Sequence, residues 1–105
     1  MANVVINRVT VGYDFEALTV ADSVQVLTPT KFQDSVTSGG ASEAFITNDG
    51  AEIRYRYDGT APSATVGHVL ADGGILVLKG QNQMAQFKCI RTGGVSSEIS
   101  VTYER

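Results

Sequence analysis

The chain has no tryptophan, one histidine, one cysteine and two prolines among its 105 residues. Each scarcity removes a class of explanation. With Cys89 alone there is no internal disulfide framework, so packing must hold the fold together, as suits a reducing compartment. With His68 alone, and no cysteine or second histidine near it in sequence, a metal site is not expected and no nucleophile–base pair is evident. Charge is scarce too. Asp, Glu, Lys and Arg make up 18% of the residues, so part of the uncharged surface is expected to be an interface. Eleven acidic against eight basic residues give no field to draw in nucleic acid or an anionic membrane, and neither is expected as a partner. Long apolar runs are missing as well: Ile75-Leu76-Val77-Leu78 cannot span a bilayer. The opening Met1-Ala2-Asn3-Val4-Val5-Ile6 lacks the basic region and apolar core of a signal peptide, so synthesis and folding in the cytosol are expected.

What is present is period-two alternation punctuated by glycine. The length suits one domain spanning residues 1–105. Residues 52–58, Glu-Ile-Arg-Tyr-Arg-Tyr-Asp, send Ile53, Tyr55 and Tyr57 to one side of an extended backbone and Arg54, Arg56 and Asp58 to the other. The apolar side is expected to face inward, and Gly59 follows to allow a tight turn. Residues 98–104 alternate as cleanly, with Ile99, Val101 and Tyr103 against Glu98, Ser100, Thr102 and Glu104. Residues 5–15 also alternate, after which Leu18 and Val20 carry the apolar residues on the other parity; a bulge near Glu16-Ala17 would produce that switch. Further strands are expected over residues 23–27, 45–47, 68–70, 75–78 and 84–91, and residues 30–36 have room for one helical turn. Residues 34–43 and 60–67 read as loops, and Asn48-Asp49-Gly50 as the strongest turn. Short strands with Gly and Asp turns predict an all-β fold, an antiparallel two-sheet β-sandwich of immunoglobulin-like or jelly-roll form.

No residue set calls for chemistry. His68 and Cys89 read as structural, the first at the end of a loop and the second as a small buried hydrophobe. Arg54 and Arg56 share one strand face. Their tyrosine neighbours point the other way, which disfavours a stacking surface for nucleic acid and makes cross-strand pairing with Glu98 and Glu104 the simpler reading, if the last strand lies beside residues 52–58. Asp14, Glu16, Asp22, Asp49, Asp58 and Asp72 read as turn formers rather than calcium ligands. No catalytic, cofactor-binding or metal-binding residue is expected. The candidate interface residues are Arg54 and Arg56, together with Val4, Val5 and Ile6 of a possible N-terminal arm, residues 1–6, able to add a strand to a neighbour.

The run Ile53-Arg54-Tyr55-Arg56-Tyr57-Asp58-Gly59-Thr60-Ala61-Pro62-Ser63, with Val66-Gly67-His68-Val69-Leu70, Phe87-Lys88-Cys89-Ile90-Arg91 and Val101-Thr102-Tyr103-Glu104, resembles a group of small tailed-bacteriophage proteins of the virion gene cluster. The resemblance covers about the second half of the chain. The same strand, Asp-Gly-Thr turn and proline also resemble immunoglobulin-like modules appended to some glycosidases, as a likeness of fold only. The phage resemblance implies a non-enzymatic structural protein of the virion, made in the host cytoplasm: a capsid decoration or head-accessory protein. Its partners would be the major capsid protein or another virion protein, and copies of itself in a closed ring such as a trimer. The competing expectation is a tail-associated receptor- or carbohydrate-binding module, against which stand the missing tryptophan and the inward direction expected of Tyr55 and Tyr57.

Overall fold

A computed structural model describes residues 11–33 and 40–105. Eight strands run in chain order: β1 Gly12–Val20, β2 Gln25–Val26, β3 Glu43–Asp49, β4 Ile53–Arg56, β5 His68–Leu70, β6 Ile75–Lys79, β7 Lys88–Arg91 and β8 Ser97–Glu104. Two short helices interrupt them, α1 Pro29–Phe32 and α2 Gln81–Gln86. One four-stranded sheet, A, has the order β1-β8-β3-β6; the other, B, has β2-β7-β4-β5, and every pairing is antiparallel. The expected two-sheet sandwich is therefore the observed fold.

The order has a simple generator. β1 pairs with β8, β2 with β7, β3 with β6 and β4 with β5, so the chain is one long hairpin doubled back on itself. The hairpin is then rolled until β8 also meets β3 and β7 also meets β4. This is the winding of a jelly roll, which decides between the two sandwich forms that alternation alone left open. The tip of the hairpin is residues 57–67, and every other connection crosses from one sheet to the other. The turns at residues 21–24, 50–52, 71–74 and 92–96 gather at one end of the sandwich, while the tip and both helices lie at the other.

The core follows from the alternation. Ile99, Val101 and Tyr103 of β8 meet Ala44 and Ile46 of β3, Val20 of β1 and Leu78 of β6, and from sheet B Ile53, Leu70 and Cys89, all buried. Phe32 from α1, Met84 from α2 and Phe87 close the helix end, with the Phe32 and Tyr103 rings 6.2 Å apart.

Several expectations are corrected. Residues 81–86 form α2, so residues 84–86 do not start the expected strand: Gln81, Asn82, Gln83, Met84, Ala85 and Gln86 include no β-branched residue, Gly80 precedes them at φ 84°, and Met84 alone of the six is buried. The strand there begins only at Lys88. The irregularity in β1 falls between Gly12 and Asp14, not at Glu16-Ala17. That earlier bulge turns Phe15 outward, 55% exposed, and places Glu16 inside. β8 sits in sheet A and β4 in sheet B, so Glu98 and Glu104 do not pair with Arg54 and Arg56. Residues 5–10 of the expected first strand and residues 34–39 of the expected loop lie outside the described residues; Gly40 and Ala41, also read as exposed loop, are buried.

Two buried polar clusters were not foreseen. Asn48, read as a turn residue, is the hub of the turn end. Its Nδ2 donates to the carbonyls of Ala51 (2.8 Å), Leu70 (3.1 Å) and Ala71 (3.1 Å), and its Oδ1 accepts from Ser97 Oγ at 2.5 Å. Its backbone N–H donates to Gly74 O and its carbonyl accepts from Gly73 N–H. One side chain thus ties β3, β8 and the connection leaving β5. Near the helix end Glu16 accepts from Thr28 N–H (3.1 Å), Thr28 Oγ1 (2.7 Å) and the Tyr103 hydroxyl. That joins the residue preceding α1 to the two strands nearest the chain ends. Removing Asn48 would take a donor from the carbonyls of Ala51 and Leu70 and break the link to Ser97, so Asn48→Ala is expected to destabilise the domain by about 3 kcal/mol in denaturant unfolding, against at most about 0.5 kcal/mol for the exposed change Asn82→Ala.

Candidate functional site

Two features stand out from the rest of the surface, and they lie on different parts of the roll. The first is the outer face of sheet A. Register places its outward residues in rows running across the strands: Phe15–Thr102–Phe45–Val77, then Ala17–Ser100–Thr47–Ile75. These two rows carry no charge, and Phe15, Phe45, Ile75 and Val77 are exposed, Ile75 to 61%. The flanking rows are acidic. Gly12–Glu104–Glu43–Lys79 lies on one side and Thr19–Glu98–Asp49 on the other, so Glu43 stands opposite Glu104 and Asp49 opposite Glu98. Like charges directly opposite each other on one face disfavour the pairing that holds them. Lys79 lies 3.9 Å from Glu43 and is the one cation in these rows. The unbroken apolarity of residues 75–78 thus divides between two environments: Leu78 is buried and Leu76 packs against the core, while Ile75 and Val77 face out.

The second feature is a hollow of about 280 Å³ at the hairpin tip, lined by Arg56, Tyr57, Asp58 and His68. Tyr55 and His68 are register partners on β4 and β5, so their side chains share the side of sheet B that carries Ile53 and Leu70. The direction expected for the tyrosines is right, but its consequence is not. The core narrows before the tip, leaving Tyr57 44% exposed and His68 exposed. The rings form a ladder: Tyr55 lies 5.9 Å from Phe87 and 5.3 Å from His68, and Tyr57 lies 6.1 Å from His68 and 6.5 Å from Tyr55. Burial, and then the neighbouring Tyr57, pushes the Tyr55 phenol upward, so it stays neutral. His68 therefore meets rings, a contact that the expectation of a loop-bonding histidine did not contain.

Beside the rings, Arg56 donates from Nε (3.1 Å) and Nη2 (2.5 Å) to the two oxygens of Asp58. The guanidinium hydrogen bonds hold the Asp58 carboxyl at about 2, assisted by the Thr60 N–H. Arg54 ties the loop, donating to Ala64 O (3.2 Å) and Gly67 O (2.8 Å). Lys88 Nζ donates to Gly59 O at 3.1 Å, and Ser63 and Val66 close a turn on each other. Gly67, at φ 138°, brings its backbone so close to Pro62 and the Tyr55 carbonyl that a Cβ would sit 3.1 Å from each. A rim tied this way is held in place before any ligand arrives.

Of the expected interface residues, Arg56 lines the hollow, Arg54 anchors its loop, and Val4, Val5 and Ile6 lie outside the described residues. His68 and Cys89 do not converge. Both flank Tyr55 in register, which separates them by two strand spacings, about 10 Å. Cys89 is wholly buried, and burial pushes its thiol up to about 12, too high for a nucleophile. Among the described residues no group of three His, Cys, Asp or Glu side chains is placed to hold a metal ion, and no helix is long and apolar enough to cross a membrane.

Two outcomes are expected. A folded carboxyl that titrates below its ordinary value of about 3.9 contributes its stability above that pH and loses it as pH falls through about 2. In a carboxyl-detected NMR titration Asp58 should therefore titrate near 2, and Arg56→Gln should return it toward the ordinary value. Cys89 should resist iodoacetamide at pH 8 in native protein and react only once denaturant exposes it. No family model, no curated protein and no solved structure matches this chain.

Proposed function

We propose that this protein is a non-enzymatic structural component of a bacteriophage virion, a capsid decoration or head-accessory protein that docks on the coat lattice through the outer face of sheet A. The observation that carries the reading is the pair of uncharged rows, Phe15–Thr102–Phe45–Val77 and Ala17–Ser100–Thr47–Ile75, spanning all four strands between acidic margins. An exposed apolar face with a polar rim is the usual anatomy of a protein interface. The acidic margins define the partner further. Stacking a second copy on this face would bring acidic margin against acidic margin, whereas a surface that is apolar in the middle and basic at its edges would complement them. The occupant is accordingly a different chain with Lys or Arg around an apolar centre, such as a coat subunit.

Four strands about 4.8 Å apart and four rows about 7 Å apart make a face of roughly 500 Å². That is below the roughly 800 Å² per partner of a standard interface, so one copy alone is held weakly. Binding to a lattice in several linked copies would multiply that strength without any new contact, which favours a homo-oligomer, with a trimer among its closed forms. In this reading the protein is made in the host cytoplasm and resides on the virion. At the level of architecture alone, jelly rolls recur in viral capsid and lectin domains.

The test is cosedimentation with coat-protein shells, with host envelopes as the alternative target. Phe15→Lys with Phe45→Lys alters only exposed positions; the double variant should keep its unfolding midpoint and bind shells at least about tenfold more weakly. Glu98→Lys should weaken binding and flatten its salt dependence. Undiminished shell binding by the double variant, or sedimentation with envelopes instead of shells, would sink the proposal.

A further inference from the structure

The hollow at the hairpin tip takes no part in sheet A docking, and its construction goes beyond what a turn requires. Tyr57 and His68 present ring surface that the core does not cover, whereas Phe32, Phe87 and Tyr103 are buried. The loop behind those rings is fastened at five backbone carbonyls: Gly59 by Lys88, Ala64 and Gly67 by Arg54, and Ser63 and Val66 by each other's N–H. Next to the rings stands an ion pair rather than a lone charge.

We propose that the hollow formed by Tyr57, His68 and the Arg56–Asp58 pair binds a single neutral pyranose ring. Its volume, about 280 Å³, is at the small end of ligand sites and suits one ring rather than an extended molecule. A pyranose carries its C–H bonds on one face and its hydroxyls around the edge. The C–H face, slightly positive, packs on the negative face of an aromatic ring, here Tyr57 and His68. Hydroxyls at the edge both donate and accept, and Arg56 with Asp58 offers guanidinium N–H groups and carboxylate oxygens side by side. Asp58 stays ionised through the physiological range and so remains an acceptor.

The same pair argues against an anionic ligand. Asp58 engages Nε and Nη2 of Arg56, so a phosphate or carboxylate entering here would meet a carboxylate beside the one guanidinium of the hollow. Nucleotides are disfavoured for the same reason, and by the acidic balance of the chain. The tied rim keeps the ordering needed on binding small, which is how so shallow a site holds a ligand at all. The site does not depend on the docking role of sheet A: the two share no residue.

His68 is the only histidine, so its ring protons give a single resolved NMR reporter inside the site. Methyl glycosides of glucose, galactose, mannose and N-acetylglucosamine would be titrated to about 50 mM, because one ring on an open site is held in the mM range. Amylose, cellulose and chitin would be tested in parallel by pull-down. At least one glycoside should shift the His68 signals saturably, and Tyr57→Ser should weaken that response about tenfold or more while leaving the rest of the amide spectrum in place. Arg56→Ala should weaken it too. Retention on a polymer, lost in Tyr57→Ser, identifies the pyranose as part of a polysaccharide; a response to the glycosides alone identifies a free or terminal sugar. The proposal is overturned if no glycoside or polymer binds, if inorganic phosphate or sialyllactose shifts His68 more strongly than every neutral sugar, or if Tyr57→Ser binds as the parent does.

Discussion

β8 is the strand on which the rest of the molecule hangs, because it is paired on both edges within sheet A and packed on its inner side. Its core-facing residues are Ser97, Ile99, Val101 and Tyr103, so an apolar pair lies between two residues with polar atoms. Ser97 meets Asn48 at the turn end, and Tyr103 meets Glu16 toward the helix end. The strand is thereby fixed along its length: hydrophobic burial holds its middle, and hydrogen bonds that would be costly to leave unmade hold its two ends. A one-residue slip would turn Ile99 and Val101 out to water and strand both clusters at once.

The rolled hairpin also decides where function can sit. Winding β1, β8, β3 and β6 side by side brings residues far apart in sequence, Phe15, Phe45, Val77 and Thr102, into one row that none of the described elements covers. Folding the chain in half leaves a tip that must protrude, and there the core thins until the inner face of sheet B becomes open surface. A flat apolar face and a small aromatic hollow are thus by-products of a single winding. Because they share no side chain, the proposed attachment surface and the proposed ligand site would not compete on this small domain.

The same arrangement also sets the surroundings of the groups best able to react among the described residues. Cys89 and Glu16 are the two groups whose reactivity would be of interest, and both are taken up by the core. Burial keeps the Cys89 thiol protonated, and three donors from Thr28 and Tyr103 converge on Glu16. His68, the remaining candidate, meets the rings of Tyr55 and Tyr57 in the hollow it shares with Asp58.

The strands were legible where alternation is strict. Residues 98–104 form a strand as read, and the stretch read over 52–58 holds one at 53–56, since a period of two admits no other regular structure; Gly59 and Gly73 take the positive φ that their turns need. Helix α2 was not legible, because six residues are too few to display a helical period. Glu16 and Asn48 were misread because an acid or an amide in a β-rich chain is a turn former by default, and only neighbours remote in sequence make burial tolerable. By itself the sequence determined that the fold is all-β and layered, since side-chain periodicity is a local property of the backbone. Tertiary structure alone decided which sheet each strand joins, that Tyr57 lies open although it points inward, and that four distant side chains form one uncharged row: each depends on register between segments up to about 90 residues apart, which no local pattern encodes.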